Sequence, residues 1–270
     1  MPWHDARHGP HPPVSDTGRA VRLARLVVLG GLLAIGASAA LAPAVAAHGA
    51  DAFVPPRPSD ILLDWSFDPL VSLPVLLVAV VYLAVVRRVD REHPANPVPR
   101  ARIVAFLGGL VAIEVALQSI IERYDATLFS VHMVQHILLT LVASPLLVLG
   151  APVTLALRVA RPGFRHRVLL PILHSRVLRA LSFPVVAWLL FAGVMWGTHF
   201  SPIFNESLDN PVIHQLEHMA YLSAGLLFWW PAVGLDPSPW RMPHPLRAMY
   251  LFLQMPQNTF LALAIYSASA

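Results

Sequence analysis

Residues 131–157 read VHMVQHILLTLVASPLLVLGAPVTLAL, a run without arginine, lysine, aspartate or glutamate. At about 1.5 Å per residue, its roughly twenty apolar residues cover the ~30 Å hydrocarbon core of a bilayer. The run therefore predicts a membrane helix, and the prolines and glycine in its second half predict a kink or break there. His132 and His136 are four residues apart at its start, which puts both imidazoles on one helix face.

The same pattern returns later in the chain. Residues 214–231 read HQLEHMAYLSAGLLFWWP, with His214 and His218 again four residues apart ahead of an apolar run. Two membrane helices that each begin with a His-x-x-x-His pair predict four imidazoles close together, provided that both helices enter the membrane from the same side.

The overall composition is that of an integral membrane protein. The 270 residues are 56% hydrophobic and 13% charged, whereas soluble domains carry about 25% charged residues. All 19 basic residues are arginines placed mainly between apolar runs, so the basic balance does not indicate nucleic acid; the predicted environment is a lipid bilayer. Because there is no cysteine, disulfides and thiolate ligands are excluded, and a metal would need histidine, methionine, carboxylate or backbone ligands.

We predict an all-α, polytopic integral membrane bundle of about six or seven transmembrane helices. Residues 1–47 are interpreted as a cytoplasmic tail plus a signal-like helix, cleaved or uncleaved, because arginines precede an apolar run that ends in Ala-x-Ala spacing. Residues 48–68 are interpreted as an outer-face segment and residues 69–270 as the bundle. The last apolar run stops without a polar tail at Ala270, so we expect the bundle to be truncated there.

The arginines predict the orientation. Residues 87–102 and 158–179 hold eleven of them, whereas the intervening segments 48–68, 122–130 and 198–211 hold two. Because cytoplasmic loops carry the excess of positive charge, the first two segments are predicted to lie on the cytoplasmic side of the membrane and the others on the outer side. This topology predicts one group of histidines at the outer mouth of the bundle: His132, His136, His199, His214 and His218.

Imidazole is the commonest protein ligand for metals, and a histidine pair at i, i+4 can hold one ion from one helix face. We predict a metal site with these residues: His132, His136, His214 and His218, supported by His199 and Glu217. His136 and His218 are one turn deeper and are expected to be closest to the ion, and Glu217 is expected to bind the ion or to accept an imidazole N–H. Three methionines near the same level, Met133, Met195 and Met219, favour copper, since soft thioethers select it.

The ordered motifs in residues 65–270 resemble those of the CtaG-type cytochrome c oxidase assembly factors. They are HMVQH (132–136) followed by SPLL (144–147) and GAP (150–152), WGTH (196–199) followed by Pro202, and HQLEH (214–218) followed by AGLLFWWP (224–231). The resemblance implies a bacterial plasma-membrane protein of about seven helices that supports maturation of a caa(3)-type oxidase. It implies that the protein has no catalytic role, that its partners are cytochrome c oxidase subunits, and that it handles copper.

Two other functions remain open at this point. A bis-histidine membrane cytochrome is compatible with histidines on two helices, although an i, i+4 pair cannot supply both axial ligands of one iron. A membrane hydrolase or oxidase with a dinuclear metal site is also compatible with the two histidine pairs. Such sites usually need several carboxylates, and in this sequence only Glu217 is well placed.

Some further residues carry predictions about packing. Gly108, Gly109, Gly193 and Gly225 are predicted to mark close helix contacts, since small residues let membrane helices approach each other. The tryptophans 188, 196, 229 and 230 are predicted to anchor interfaces or fill the bundle. Glu114 lies in the middle of an apolar run, where a carboxyl group is either functional or bonded to a neighbouring helix.

Overall fold

The computed structural model describes residues 65–125 and 127–268, without the side chains of residues 204, 205 and 209. Within these ranges the chain forms helices and connecting turns, with no strand. The helices are α1 (Pro69–Glu92), α2 (Arg100–Gln118), α3 (Ile120–Tyr124), α4 (Phe129–Ile137), α5 (Ser144–Leu149), α6 (Pro152–Val159), α7 (Pro162–Phe164), α8 (Leu170–Leu173), α9 (Arg176–Leu181), α10 (Pro184–His199), α11 (Ile203–Asp209), α12 (Pro211–Val233) and α13 (His244–Ala268). The predicted tail and signal-like helix lie outside the described residues, as does most of the outer-face segment.

Local capping fixes the first turns of two long helices. The Asp68 carboxylate accepts a hydrogen bond from the Leu70 amide at 2.8 Å, and Asn210 accepts one from the Val212 amide at 2.9 Å. In both helices a proline follows the cap, where its missing N–H costs no hydrogen bond. The second cap sets where α12 begins and so places His214 in its first turn.

The central helix, residues 129–149, is continuous but irregular. After His136 it widens into a π-helical segment, Leu138–Ala143, before α5, and the Thr140 hydroxyl donates to the His136 carbonyl at 2.6 Å. The helix ends where Ala151 takes a left-handed conformation with φ 49°, and Pro152 starts α6. The break predicted from the prolines and glycine is confirmed. The π-helical segment, a feature frequently found at functional sites, was not predicted.

The central helix is packed between α2 and α12, and two glycines permit this approach. A Cβ on Gly225 would overlap the side chain of Ser144 and lie 3.2 Å from the Cα of Thr140, and a Cβ on Gly109 would lie 2.9 Å from Cγ of Leu147. Both predicted close contacts are confirmed. α12 therefore lies almost backbone to backbone against the central helix.

Three other packing predictions have different outcomes. The prediction for Gly193 is wrong for the part of the chain that the structure describes, because no described atom lies within 4 Å of a Cβ there. A Cβ on Gly108 would make only an ordinary contact of 3.8 Å with Leu146. Glu114 accepts a hydrogen bond from the Ser72 hydroxyl on α1 at 3.0 Å. Since α1 and α2 are neighbours, Glu114 holds two helices together.

Two apolar cores lie on either side of the central helix. The first combines α1, α2, the central helix and α6 and includes Phe106, Leu139 and Leu155; the second combines α10, α12 and α13 and includes Phe191, Tyr221 and Phe228. Trp229 packs against the second core and donates its indole N–H to the Thr140 carbonyl at 2.9 Å. It joins α12 to the π-helical segment, in agreement with a bundle-filling role.

Three stretches are long and apolar enough to cross a membrane: Pro69–Glu92, Arg100–Tyr124 and Phe129–Val159. Pro184–His199 is apolar but shorter. The helices α12 and α13 have 23 and 25 residues but carry buried polar side chains, which lower their hydropathy. The all-α membrane class is therefore supported, while a count of six or seven spans stays a prediction.

Candidate metal centre

Several helix ends meet at one end of the bundle. His132 lies in the first turn of α4, His214 in the first turn of α12, and His199 is the last residue of α10. The ring of His132 is 6.1 Å from the ring of His214 and 6.5 Å from that of His199, measured between centroids. The arginine-rich segment 158–179 leads from the opposite end of the helical region that begins with α4 towards the opposite end of α10.

The first group of possible ligands combines α4 with α12. The Nε2 atoms of His132 and His136 are 2.7 Å apart, and Oε1 of Glu217 lies 4.0 Å from the first and 3.6 Å from the second. A circle through these three atoms has a radius of about 2.0 Å, which matches the ~2.0–2.2 Å bonds that imidazole and carboxylate ligands form with zinc-sized ions. An ion at its centre would reach all three atoms without movement of the heavy atoms, once the proton between the two Nε2 atoms has left.

A second group lies beside the first and shares none of its residues. Glu122 of α3, Asp125, His214 and His218 each offer one atom, and these atoms lie within 4.8 Å of one another. Nε2 of His214 is 2.8 Å from Oδ2 of Asp125, and Nδ1 of His214 is 3.3 Å from the Ser207 carbonyl. Because a carbonyl only accepts, Nδ1 carries a proton, and the contact at Nε2 needs a second proton that the ring and the carboxylate share when no metal is bound.

Gln135 links the two helices of the cluster. Its amide nitrogen donates to the Ala116 carbonyl at 2.9 Å and to the Glu122 carboxylate at 2.7 Å. Its amide oxygen is 2.9 Å from Nε2 of His218, which must therefore donate. Gln135 thereby holds one carboxylate and one imidazole of the second group, as residues behind metal ligands commonly do.

His199 belongs to neither ligand group. Its Nδ1 lies 2.7 Å from the Met195 carbonyl and its ring centroid 5.8 Å from that of His136. Tyr221 stacks on His136 with centroids 3.7 Å apart and planes 2° apart, while its hydroxyl bonds to the Thr198 hydroxyl at 2.6 Å. These neighbours fix the orientation of the His136 ring.

The first group is buried and short of hydrogen bonds. His136 is 2% exposed and Glu217 3% exposed. Glu217 interacts with the Ser207 side chain, but the nearer imidazole nitrogen, Nε2 of His136, is 3.6 Å away, so the expectation that Glu217 accepts an imidazole N–H is wrong. Nδ1 of His136 has no hydrogen-bond partner among the described residues. A buried carboxylate is costly without a compensating charge. A cation between these atoms would supply that charge, so the residues fit a metal ion.

The structure changes the predicted ligand set in two ways. All four paired histidines come together as expected, but they divide between two groups rather than surrounding one ion. Glu122 and Asp125, which the sequence pattern assigns to an exposed outer turn, join the second group, and Asp125 is 4% exposed. Their i, i+3 spacing directly before a histidine-bearing helix was the one signal that could have identified them.

The predicted methionine contribution has less support. Met195 is buried in the second apolar core, and its backbone carbonyl, rather than its sulfur, contacts His199. Met133 and Met219 are partly buried. The donor atoms that the described residues bring together are imidazole nitrogens and carboxylate oxygens.

Fold and site define an all-helical membrane protein with a buried histidine–carboxylate cluster at one end. Residues 80–270 match the family model described as cytochrome c oxidase caa3 assembly factor. The chain therefore belongs to the caa3 cytochrome c oxidase assembly factor family, as the resemblance of its motifs implied.

Curated relatives from mycobacteria are similar over most of the chain. Proteins described as uncharacterized from Mycobacterium bovis and Mycobacterium tuberculosis are 35% identical over 222 residues, and one from Mycobacterium leprae is 34% identical over 225 residues. Each match covers 80% of this chain but only 33–34% of the relative, so the chain spans about a third of their length. No solved structure matches.

Proposed function

We propose that this protein is a non-enzymatic assembly factor that binds copper through His132, His136 and Glu217 and delivers it to a cytochrome c oxidase subunit. The observation that carries the proposal is the circle of about 2.0 Å radius through three buried donor atoms of two helices, a distance suited to metal coordination. Membership of the assembly factor family supplies the oxidase as recipient. Copper is the cargo in this proposal and not a resident cofactor.

The ligand chemistry suits an ion that must leave again. Two imidazoles and one carboxylate leave at least one coordination position for a ligand of the recipient, so the ion can pass by ligand exchange. Among divalent first-row metals, copper binds nitrogen and oxygen ligands most tightly. A chain without cysteine avoids the thiolates that would retain it.

The proposed orientation follows from charge. The arginine-rich segments 87–102 and 158–179 would face the cytoplasm by the positive-inside rule. The ligand cluster at the opposite end would then open to the outer side of the bacterial plasma membrane, in a multi-pass bundle of six or seven spans. An oxidase subunit with metal ligands on that side could receive the ion directly.

The geometry disfavours haem at this histidine pair. Two imidazoles on opposite sides of one iron would place their coordinating nitrogens about 4 Å apart, twice a metal–nitrogen bond of ~2.0 Å. The Nε2 atoms of His132 and His136 are 2.7 Å apart. A bis-histidine haem therefore does not fit between His132 and His136.

The test compares His136→Ala with His174→Ala. His174 is exposed and bonds to the backbone of its own turn, so it controls for loss of a histidine. Copper per chain is measured on purified protein, and oxidase activity on membranes with equal amounts of each variant. We expect His136→Ala to lose one copper ion and most oxidase activity, and His174→Ala to keep both. Full copper and full activity in His136→Ala would show that the cluster is structural.

A further inference from the structure

We propose that Glu122, Asp125, His214 and His218 form a second cation site, so that the cluster holds two metal ions rather than one. The site would take a divalent ion of borderline character, such as Zn²⁺ or Cu²⁺, because it combines two imidazoles with two carboxylates. The proposal refines the copper site of the proposed function, but binding of the second ion does not depend on delivery to an oxidase.

The spacing of the donor atoms supports a common ion. Two ligands on opposite sides of one ion are about 4.0–4.4 Å apart at bonds of ~2.0–2.2 Å, and the four atoms of this group lie within 4.8 Å of one another. The pair formed by Nε2 of His214 and Oδ2 of Asp125 is at 2.8 Å, short enough for two neighbouring ligands of one ion.

The tautomers leave lone pairs available to a cation. The Gln135 amide oxygen faces Nε2 of His218 at 2.9 Å, so this nitrogen carries the proton and Nδ1 carries the lone pair. Nδ1 of His218 has no hydrogen-bond partner, although the residue is only 2% exposed. A buried acceptor without a donor is uncommon in folded proteins, and a metal ion would satisfy it.

The charges also favour a cation here. Two carboxylates lie close together in a largely buried setting, and Gln135, which is neutral, is the donor to Glu122. His214 is 2.8 Å from Asp125, a distance at which the two share a proton; a divalent ion would displace that proton and balance both carboxylates. A site with two carboxylates also removes the sequence-based objection to a two-ion centre, namely that only Glu217 is well placed.

The two groups are adjacent yet separate. They share no residue, and the nearest rings across them are those of His132 and His214, with centroids 6.1 Å apart. Within each group the paired rings are closer, at 4.2 Å for His132 and His136 and 4.3 Å for His214 and His218. Two bound ions would therefore lie within several ångströms of each other, each with its own helical histidine pair.

The experiment titrates purified full-length protein with Zn²⁺ and counts bound ions per chain. We expect two ions for the unaltered protein, one for Glu122→Gln combined with Asp125→Asn, and one for His136→Ala. Glu92→Gln removes an exposed carboxyl at the arginine-rich end and should keep two ions. One ion in the unaltered protein at saturation, or two in the Glu122/Asp125 double variant, would overturn the second site.

A spectroscopic measurement tests the second site without the Glu122/Asp125 double variant, so its result does not depend on whether that variant folds. The unaltered protein loaded with Cu²⁺ should show magnetic coupling between two ions in electron paramagnetic resonance, and His136→Ala should show one isolated Cu²⁺ signal. An isolated signal in the fully loaded, unaltered protein would refute the two-ion site. Oxidase activity separates the two proposals. If activity persists in His136→Ala while two ions bind to the unaltered protein, the proposal of copper delivery is wrong and the second site stands.

Discussion

The two ends of the bundle use polar and charged side chains in opposite ways. At the ligand end, His218 and Gln135 are hydrogen-bonded although 83 positions separate them in the sequence, and both are buried. At the arginine-rich end, Arg88 and Glu92 form an ion pair at 2.7 Å, four positions apart, with side chains 44% and 45% exposed. Substitutions should therefore act through distant partners at the ligand end and only locally at the other end.

The largest effect is expected where the ligand end depends on close helix packing. In Gly225→Leu the new side chain would overlap Ser144 and crowd the Thr140 backbone, so we expect a loss of about 3 kcal/mol or more in the free energy of unfolding. Thermal unfolding in detergent and the yield of folded protein measure this. Gly193→Leu is the matched control, because a Cβ there meets nothing within 4 Å. Equal stability of the two variants would contradict the close contact.

An intermediate effect is expected at Gln135. Gln135→Leu removes the hydrogen bonds to Glu122 and His218, which should cost about 2 kcal/mol of stability and lower metal affinity roughly 10-fold. Gln118→Leu is the control: Gln118 is equally buried but bonds to the backbone of Asp68. It should lose similar stability and keep its metal affinity, measured by chelator competition. The same loss of affinity in both variants would make Gln135 a structural residue only.

The smallest effect is expected at the exposed end. Arg88→Ala breaks the ion pair with Glu92, and exposed i, i+4 pairs contribute only about 0.5 kcal/mol. Unfolding and metal stoichiometry should both stay within experimental error of the unaltered protein. A loss of metal from this variant would show that the two ends are coupled through the bundle, against the contrast drawn between them.

The sequence was sufficient for features with a local cause. Hydropathy identified the membrane helices α1, α2 and the central helix, and the His-x-x-x-His spacing put His132 beside His136. The break near Pro152 also follows from residue chemistry alone. These features depend on neighbours within one or two helical turns, which a linear pattern records.

The number of membrane spans was harder to derive, because it depends on contacts between helices and not only on neighbours within one or two turns. α12 and α13 carry buried polar side chains, so their hydropathy is lower than that of a helix that faces lipid all round. Because burial of those groups depends on partners such as Gln135, which bonds to His218, hydropathy alone does not separate a membrane helix with a polar site from a shorter segment. The larger count was predicted from the alternation of apolar runs with arginine-rich loops, and the family resemblance implied about seven helices.

By itself the sequence determined the helical membrane class, the cysteine-free donor set and the two histidine pairs. Only the tertiary structure decided that the pairs belong to different groups, that Glu122, Asp125 and Gln135 join them, and that His199 stays outside. The reason is that a helix's own period of 3.6 residues per turn fixes which side chains share a face. Which faces then meet depends on the rotation and depth at which helices pack, and here the approach of α12 to the central helix at Gly225 sets both.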